Sequence, residues 1–137
     1  MSLPAKVSLA FGLLFLVIIR SASARDSGDR IAVVTLAALD KITTQLSTID
    51  IRQGQTAEFG TLRITLRYCR ASPPEETPEN AAFLEITDVG HNGQEKKVFT
   101  GWMFSSSPAL SPLEHPVYDV WVKKCKMVSA GDEASRQ

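Results

Sequence analysis

Residues 62–69 alternate strictly between apolar and polar side chains, and this alternation restricts the fold more than any other feature of the chain. Every second side chain of an extended strand lies on the same face. One face of this segment therefore carries Leu62, Ile64, Leu66 and Tyr68, and the other carries Arg63, Thr65, Arg67 and Cys69. An apolar face of this kind has to be covered by a second layer of structure.

Other segments also have the composition of strands. Residues 31–39 are apolar enough for a buried strand or a short helix, and residues 42–51 alternate imperfectly. Further strands are predicted at residues 81–87, 98–104 and 117–125, with a hairpin turn at residues 90–93. No amphipathic helix is convincing. The pattern predicts an all-β fold, a small antiparallel sandwich or a barrel-like domain of roughly immunoglobulin or jelly-roll type.

The loops are marked by proline. The chain has to leave the sheet at Pro73 and Pro74, because proline cannot donate a ladder hydrogen bond. A long loop at residues 105–116 holds consecutive serines and further prolines, and loops of this kind often carry function. From Lys126 to Gln137 the chain is polar, and a disordered tail is predicted.

The first residues have the composition of a secretory signal peptide. Lys6 precedes an apolar run from Val7 to Ile19, and Ala22 and Ala24 supply small residues at the spacing of a cleavage site. The run is shorter than the roughly 20 residues of a membrane-spanning helix. We expect residues 1–24 to be removed and residues 25–125 to form a single exported domain, with an uncleaved anchor as the alternative.

The two cysteines, Cys69 and Cys125, are predicted to form a disulfide, because export would place them in an oxidising compartment. A reactive thiol or a metal site is the competing interpretation, but there is no Cys-x-x-Cys and only two histidines. No metal or other cofactor is predicted. Each cysteine is in phase with the polar face of its strand, which predicts a cystine on the rim or outer side unless a bulge shifts the register.

The overall charge does not favour nucleic acid as a partner. Acidic and basic residues are equal in number over the full chain, and removal of Lys6 and Arg20 leaves the mature part slightly acidic. Binding to a phosphate backbone requires a clustered basic surface.

The sequence contains the residue types of two catalytic arrangements. Ser105–Ser107, His115 and Asp119 contain the residue types of a hydrolytic triad, but the Gly-x-Ser-x-Gly elbow is missing. Paired acids for glycoside cleavage could come from Glu85, Asp88, Glu114 or Asp119, although any small domain contains such acids. The chain is interpreted as a non-enzyme.

The large aromatic residues flank the long loop. They form either a platform for a sugar or peptide, or part of the core, and exposed coplanar tryptophans would favour the platform. His115 is expected to fix the loop by a hydrogen bond rather than to bind a metal. The candidate partner-binding residues are Trp102, Phe104, Leu110, Leu113, His115 and Trp121.

Several long blocks resemble a family of exported alphaproteobacterial proteins known as domain of unknown function 2155. The blocks are PPE at 73–75, PENAAFLEI at 78–86, FTGWMFSSSPAL at 99–110, EHPVYDVWV at 114–122 and FGTL at 59–62. The resemblance implies an exported β-domain, and Cys69 and Cys125 fall where such proteins have their cysteines.

The resemblance also suggests a setting. Genes of this family often lie near one for an accessory subunit of respiratory NADH:quinone oxidoreductase. The first hypothesis is a non-catalytic periplasmic module that binds a protein partner at the inner membrane through the loop at residues 105–116 and the neighbouring aromatic residues. It would be an accessory or assembly component of that complex, without a membrane span of its own. The second is a carbohydrate- or envelope-binding domain, with weak hydrolysis by Glu85, Glu114 or Asp119 as its extreme form.

Overall fold

The computed structural model describes residues 30–130, so the predicted signal peptide and residues 131–137 lie outside the described residues. The described part consists of strands and their connections. The strands are β1 (Arg30–Asp40), β2 (Gln45–Arg52), β3 (Thr56–Phe59), β4 (Leu62–Ala71), β5 (Asn80–Val89), β6 (Glu95–Phe104) and β7 (Tyr118–Ser129).

The strands form two antiparallel sheets. The first has the order β2-β1-β7, and the second is a meander of order β3-β4-β5-β6. The prediction of an all-β domain is confirmed, and residues 31–39 are a strand rather than a helix. Residues 30–130 contain no helix long and apolar enough to cross a membrane.

The core lies between the two sheets, because the alternating apolar residues of each sheet face the other. From β1, Val34, Leu36 and Ala38 are fully buried. Opposite them, the second sheet buries a matching set, namely Leu62, Ile64, Leu66, Ala82, Leu84 and Ile86. The alternation of residues 62–66 is therefore a core-facing stripe, as predicted.

The disulfide between Cys69 and Cys125 is confirmed, and it connects β4 of one sheet with β7 of the other. The prediction of a rim or outer position is wrong, since the two cysteines are 4% and 3% exposed and belong to the core cluster. The cystine therefore bonds the two layers together from inside.

A β-bulge in each strand turns its cysteine inward. In β4 the register shifts between Leu66 and Tyr68, which leaves Arg67 as the extra residue. In β7, Thr35 pairs with Lys124 and Leu36 with Val122, which leaves Lys123 as the extra residue. An extra residue reverses the alternation beyond it. Each bulge precedes its cysteine closely, so a side chain in phase with the polar face enters the core.

The predicted start of the tail at Lys126 is wrong by a few residues. Strand β7 continues to Ser129, because Lys126, Met127, Val128 and Ser129 pair with the beginning of β1. Arg30 is the partner of Ser129, so the two ends of the described chain are neighbours.

The strand directions define two ends of the sandwich. We call the end with the cystine, the start of β5 and the close of β6 the cystine end, and the opposite one the histidine end, after His115. The predicted hairpin turn lies at the histidine end, where Gly93 has a φ of 75° and donates its N–H to the Gly90 carbonyl oxygen at 2.9 Å.

We expect Cys69→Ala or Cys125→Ala to lower the free energy of unfolding by about 2–5 kcal/mol, because the bond closes a long loop and fills the core. Urea unfolding of oxidised protein measures the loss. Wild type unfolded in the presence of a reductant should lose a comparable amount, while the variants should not respond to the reductant. A decrease of less than about 1 kcal/mol in the free energy of unfolding would contradict the expected contribution of the disulfide to stability.

Candidate functional site

The two tryptophans do not form a common platform. Trp102 lies on β6 and is 38% exposed on the outer face of the four-stranded sheet. Trp121 lies on β7 between the inward-facing Val120 and Val122, so it is on the outer face of the other sheet, where it is half-buried. The sandwich therefore separates them.

The outer face of the four-stranded sheet has an aromatic row. Phe83 pairs with Tyr68 on one side and with Trp102 on the other. The Trp102 ring meets the Phe83 ring edge to face at a centroid distance of 5.5 Å, and the Tyr68 ring at 6.1 Å. Tyr68 was expected on the core face. The bulge at Arg67 turns it outward, where it is 51% exposed.

Beside this row lies an open groove at the cystine end, with a volume of about 400 Å³. Ala81 is its small floor and lies opposite Phe104 in the sheet. We call this the aromatic groove, and its lining residues are Arg70, Ser72, Glu76, Glu79, Ala81, Trp102 and Phe104. Its size is within the usual range of ligand pockets.

Among the three arginines on the outer face of β4, Arg70 is the one without an ion pair. Arg63 forms ion pairs with Glu95 and Glu58, at 2.7 Å and 3.6 Å, and Arg67 pairs with Glu85 at 2.9 Å. Within residues 30–130 no carboxylate forms an ion pair with Arg70, which is exposed. The groove thus combines two aromatic walls with a guanidinium group that is free to bind.

Glu79 connects the two loops at the cystine end. Its Oε1 accepts hydrogen bonds from Ser105 Oγ and the Ser106 backbone N–H, both at 3.1 Å, and its Oε2 accepts a short one from Ser106 Oγ. The Ser106 hydroxyl is the main cause that lowers the pKa of Glu79, and the Ser106 and Asn80 amides and the Ser105 hydroxyl act in the same direction. The serines are therefore occupied in holding the loop.

Asn80 extends this network to the cystine. Its backbone N–H donates to Ser105 Oγ at 3.0 Å, and its side-chain Oδ1 accepts the backbone N–H of Cys125 at 2.9 Å. One side chain thus connects β5 with β7 of the other sheet.

His115 holds the far end of the long loop. Its Nδ1 accepts the backbone N–H groups of Val117 and Tyr118 at 3.0 and 3.1 Å, so Nε2 carries the proton and donates to Asp88 at 2.9 Å. The ring stacks on Tyr118 and its side chain is 6% exposed. The prediction that His115 fixes the loop is confirmed, and these contacts occupy both ring nitrogens of this partner-binding candidate.

The neighbouring residues fit this arrangement closely. Tyr118 packs edge to face on Phe59 and against Gly60, where a Cβ atom would collide with the phenol ring. The Thr61 hydroxyl is the main cause that lowers the pKa of Asp88, followed by the hydrogen bond from His115. Among the described residues, no group makes a hydrogen bond of regular geometry to the buried Oδ1 of Asp88.

The long loop runs along the side of the sandwich, from the end of β6 at the cystine end to the start of β7 at the histidine end. Both are edge strands, and Leu113, which is 5% exposed, joins the core cluster between the sheets. Leu110 is 70% exposed. Of these two candidate partner-binding residues, Leu113 is therefore buried and Leu110 is accessible.

The residues of the suggested triad are not brought together. Ser105 is bonded at the beginning of β5 and His115 at its other end, next to Asp88, which places them about 26 Å apart at 3.3 Å per residue. Asp119 forms an ion pair with Lys41, which lies in the turn between β1 and β2. Among residues 30–130 no group of three or more metal-binding side chains occurs.

The suggested acid pair is separated as well. Glu85 lies on the outer face of the four-stranded sheet, where the hydrogen bond from Arg67 lowers its pKa. A carboxyl group that is held ionised is unsuited to the role of general acid. Glu85, Asp88 and Asp119 each have a basic partner of their own.

Sequence reasoning missed three members of the aromatic groove region. The alternation of residues 62–69 places Tyr68 on the core face because the bulge is not visible in it, and nothing in the predicted strand at residues 81–87 distinguishes Phe83. Arg70 lies directly after Cys69. It differs from Arg63 and Arg67 because those two residues form ion pairs, and these pairs are not visible in the sequence.

Residues 34–125 match the model of a protein family described as "Uncharacterized protein conserved in bacteria (DUF2155)". The chain belongs to this family. A relative from Rickettsia prowazekii, "Uncharacterized protein RP359", is 33% identical over 90 residues, which are 66% of this chain and 58% of the relative. The match thus covers less than two thirds of that relative. No solved structure matches the chain significantly.

The family blocks identified in the sequence have structural roles. Glu79 and Asn80 meet Ser105 and Ser106 at the cystine end. At the histidine end, Gly60 meets Tyr118 beside His115. These blocks fix both ends of the long loop, and the FTGWMF block also supplies the walls of the aromatic groove.

The first prediction from the site compares two leucines of one loop. Leu113→Asp is expected to destabilise the domain by more than about 3 kcal/mol, because it buries a charge in the core, whereas Leu110→Asp should leave the free energy of unfolding within about 0.5 kcal/mol of wild type. Urea unfolding followed by circular dichroism measures both. Equal stability of the two variants would contradict the buried position of Leu113.

The second prediction concerns Glu79. Because its folded pKa lies below the ordinary value of 4.5, the ionised carboxylate stabilises the fold above that pH, and this contribution is lost as the pH falls through the lowered pKa. Glu79→Gln should therefore reduce the melting temperature at pH 7, and the difference from wild type should shrink below pH 4.5. Glu75→Gln, in the same exposed loop, is the control. A difference that is independent of pH would contradict the role of the charge.

Proposed function

We propose that this protein is an exported, non-catalytic interaction domain that binds a protein partner through the aromatic groove. The observation that carries the proposal is the exposed Trp102 beside the unpaired Arg70, on a sheet face whose other arginines are paired. Tryptophan, tyrosine and arginine are the residue types that contribute most to protein interfaces. Of the candidates from sequence, Trp102 and Phe104 are retained for this contact.

The long loop supports the groove rather than providing the contact. Its two ends are bonded to Glu79 and Asp88, and Leu113 is in the core. A loop held in this way contributes to binding by keeping the groove walls in place, since less conformational freedom is lost on association.

The proposed location is the periplasm. The signal-like residues 1–24 favour export, and a disulfide between layers of a small domain is typical of proteins from oxidising compartments. The proposed partner is an inner-membrane assembly, with respiratory NADH:quinone oxidoreductase as the first to test, on the strength of the genomic neighbourhood that the family resemblance suggests.

A carbohydrate platform receives less support from the geometry. Coplanar exposed tryptophans were the arrangement that would favour it, and Trp102 and Trp121 lie on opposite faces. Trp102 is moreover packed edge to face against Phe83 and Tyr68, which leaves part of its ring for contact with a partner.

Trp102→Ala is expected to abolish association with the membrane assembly while the domain remains folded, because a central aromatic anchor typically contributes about 2 kcal/mol or more. Tagged mature protein is recovered from membranes in mild detergent and examined on native gels, with mass spectrometry of the co-migrating proteins. Leu46→Ala is the matched control, since Leu46 is 62% exposed on the other sheet.

Two results would contradict the proposal. Wild type that migrates only as a free monomer under these conditions would exclude docking onto a large assembly. Co-migration of Trp102→Ala at the wild-type level would exclude the groove as the contact.

A further inference from the structure

We infer that the occupant of the aromatic groove is an extended, proline-containing segment of the partner that presents one carboxylate to Arg70. The inference rests on the proposed function, because it names the chemistry of the partner at the same site. It is carried by charge complementarity and by the shape of the groove.

The charge argument follows from β4. Its outer face carries Arg63, Arg67 and Arg70, and the first two already have carboxylate partners across the sheet. A ligand that covers Arg70 removes water from its guanidinium group. A covered guanidinium needs an acceptor, and a carboxylate is the best match for its two parallel N–H groups.

The acidic residues of the groove restrict where that carboxylate lies. Glu79 is fully engaged by Ser105, Ser106 and Asn80. Glu76 is exposed on the rim formed by the connection between β4 and β5, and it disfavours a second negative charge there. The occupant is therefore acidic at one position, beside Arg70, and neutral along the rest of the groove.

The shape argument concerns the walls and the floor. Trp102 and Phe104 provide aromatic surface from β6, and Ala81, which is 8% exposed, is small enough to leave the space between Phe104 and Arg70 open. Aromatic-lined grooves suit proline-rich segments, which are already extended and lose little freedom on binding. Proline also has no backbone N–H that would need a partner against the rings.

The domain carries a segment of this chemistry itself. Residues 73–78 read Pro-Pro-Glu-Glu-Thr-Pro and are exposed next to the groove. Within its own chain this segment forms the rim of the aromatic groove and does not occupy it, since Glu76 is one of the lining residues. The corresponding loop of a second copy is the rival occupant, and the experiment separates it from a segment of another protein.

The test uses three peptides of equal length, acetyl-Ala-Pro-Pro-X-Pro-Ala-amide, in which X is Glu, Gln or Lys. Each is titrated into the folded mature protein and followed by shifts of backbone amide resonances. The Glu peptide is expected to bind about tenfold more tightly than the Gln peptide, because the charged pair is the stronger hydrogen bond. It should shift residues of the groove and lose affinity as salt is added.

The variants assign the effect to single groups. Arg70→Gln should remove the preference for Glu over Gln, and Arg70→Glu should reverse it in favour of the Lys peptide. Lys124→Glu makes the same charge change on the outer face of the other sheet and should leave the preference intact. Ala81→Leu fills the floor of the groove without a change of charge and should weaken all three peptides together.

The outcomes separate this inference from the proposed function. Equal binding of the three peptides to wild type would overturn the acidic requirement, and the groove would remain the contact if Trp102→Ala still loses the assembly. Absence of binding by every peptide would overturn the extended occupant. A second copy of the chain would be the occupant if size exclusion with light scattering shows a wild-type dimer that Arg70→Glu dissociates. Mixing the Arg70→Glu variant with Glu75→Arg/Glu76→Arg protein would then restore the dimer. This set of results would overturn the inference.

Discussion

The structure depends on one covalent contact between its two layers, the bond from Cys69 to Cys125. Each cysteine enters the core only because an extra residue, Arg67 or Lys123, reverses the alternation of its strand. The same irregularity in β4 has a second effect, since it turns Tyr68 out of the core and completes the aromatic row with Phe83 and Trp102. The bulge at Arg67 thus supports both the stability of the core and the proposed binding surface. Removal of the bulge would change the position of Cys69 on the inner face of the sheet and of Tyr68 on its outer face.

Two polar networks then decide what the long loop can do. Glu79 binds its first residues and His115 its last, while Leu113 anchors the middle in the core. Each network holds its end of the loop by several hydrogen bonds at once, which makes a single arrangement preferable to many. The long loop resembles an adaptable binding loop in sequence, but it is part of the rigid framework. The accessible groups that could bind a partner lie instead on the outer face of the four-stranded sheet.

Much of the fold was visible in the sequence, because burial of one face imposes a period of two on residues such as Leu62, Ile64 and Leu66. The cystine pairing followed from there being one pair. The bulges could not be read, since an extra residue at Arg67 changes no composition. The position of Leu113 depends on a contact between distant strands, and the importance of Arg70 depends on where Glu85 and Glu95 lie after folding. Those contacts arise from topology and are not encoded locally.

The neighbouring positions of Arg30 and Ser129 also have a consequence for how the domain is presented to other molecules. Both ends of the described chain lie at the cystine end of the sandwich, which also holds the aromatic groove, although the groove is on the outer face of the other sheet. Anything attached beyond either end, such as an affinity tag, therefore starts from the cystine end and not from the histidine end. A short attachment would hold the groove close to the surface that bears it, so the linker length rather than the affinity alone would set which partners come within reach.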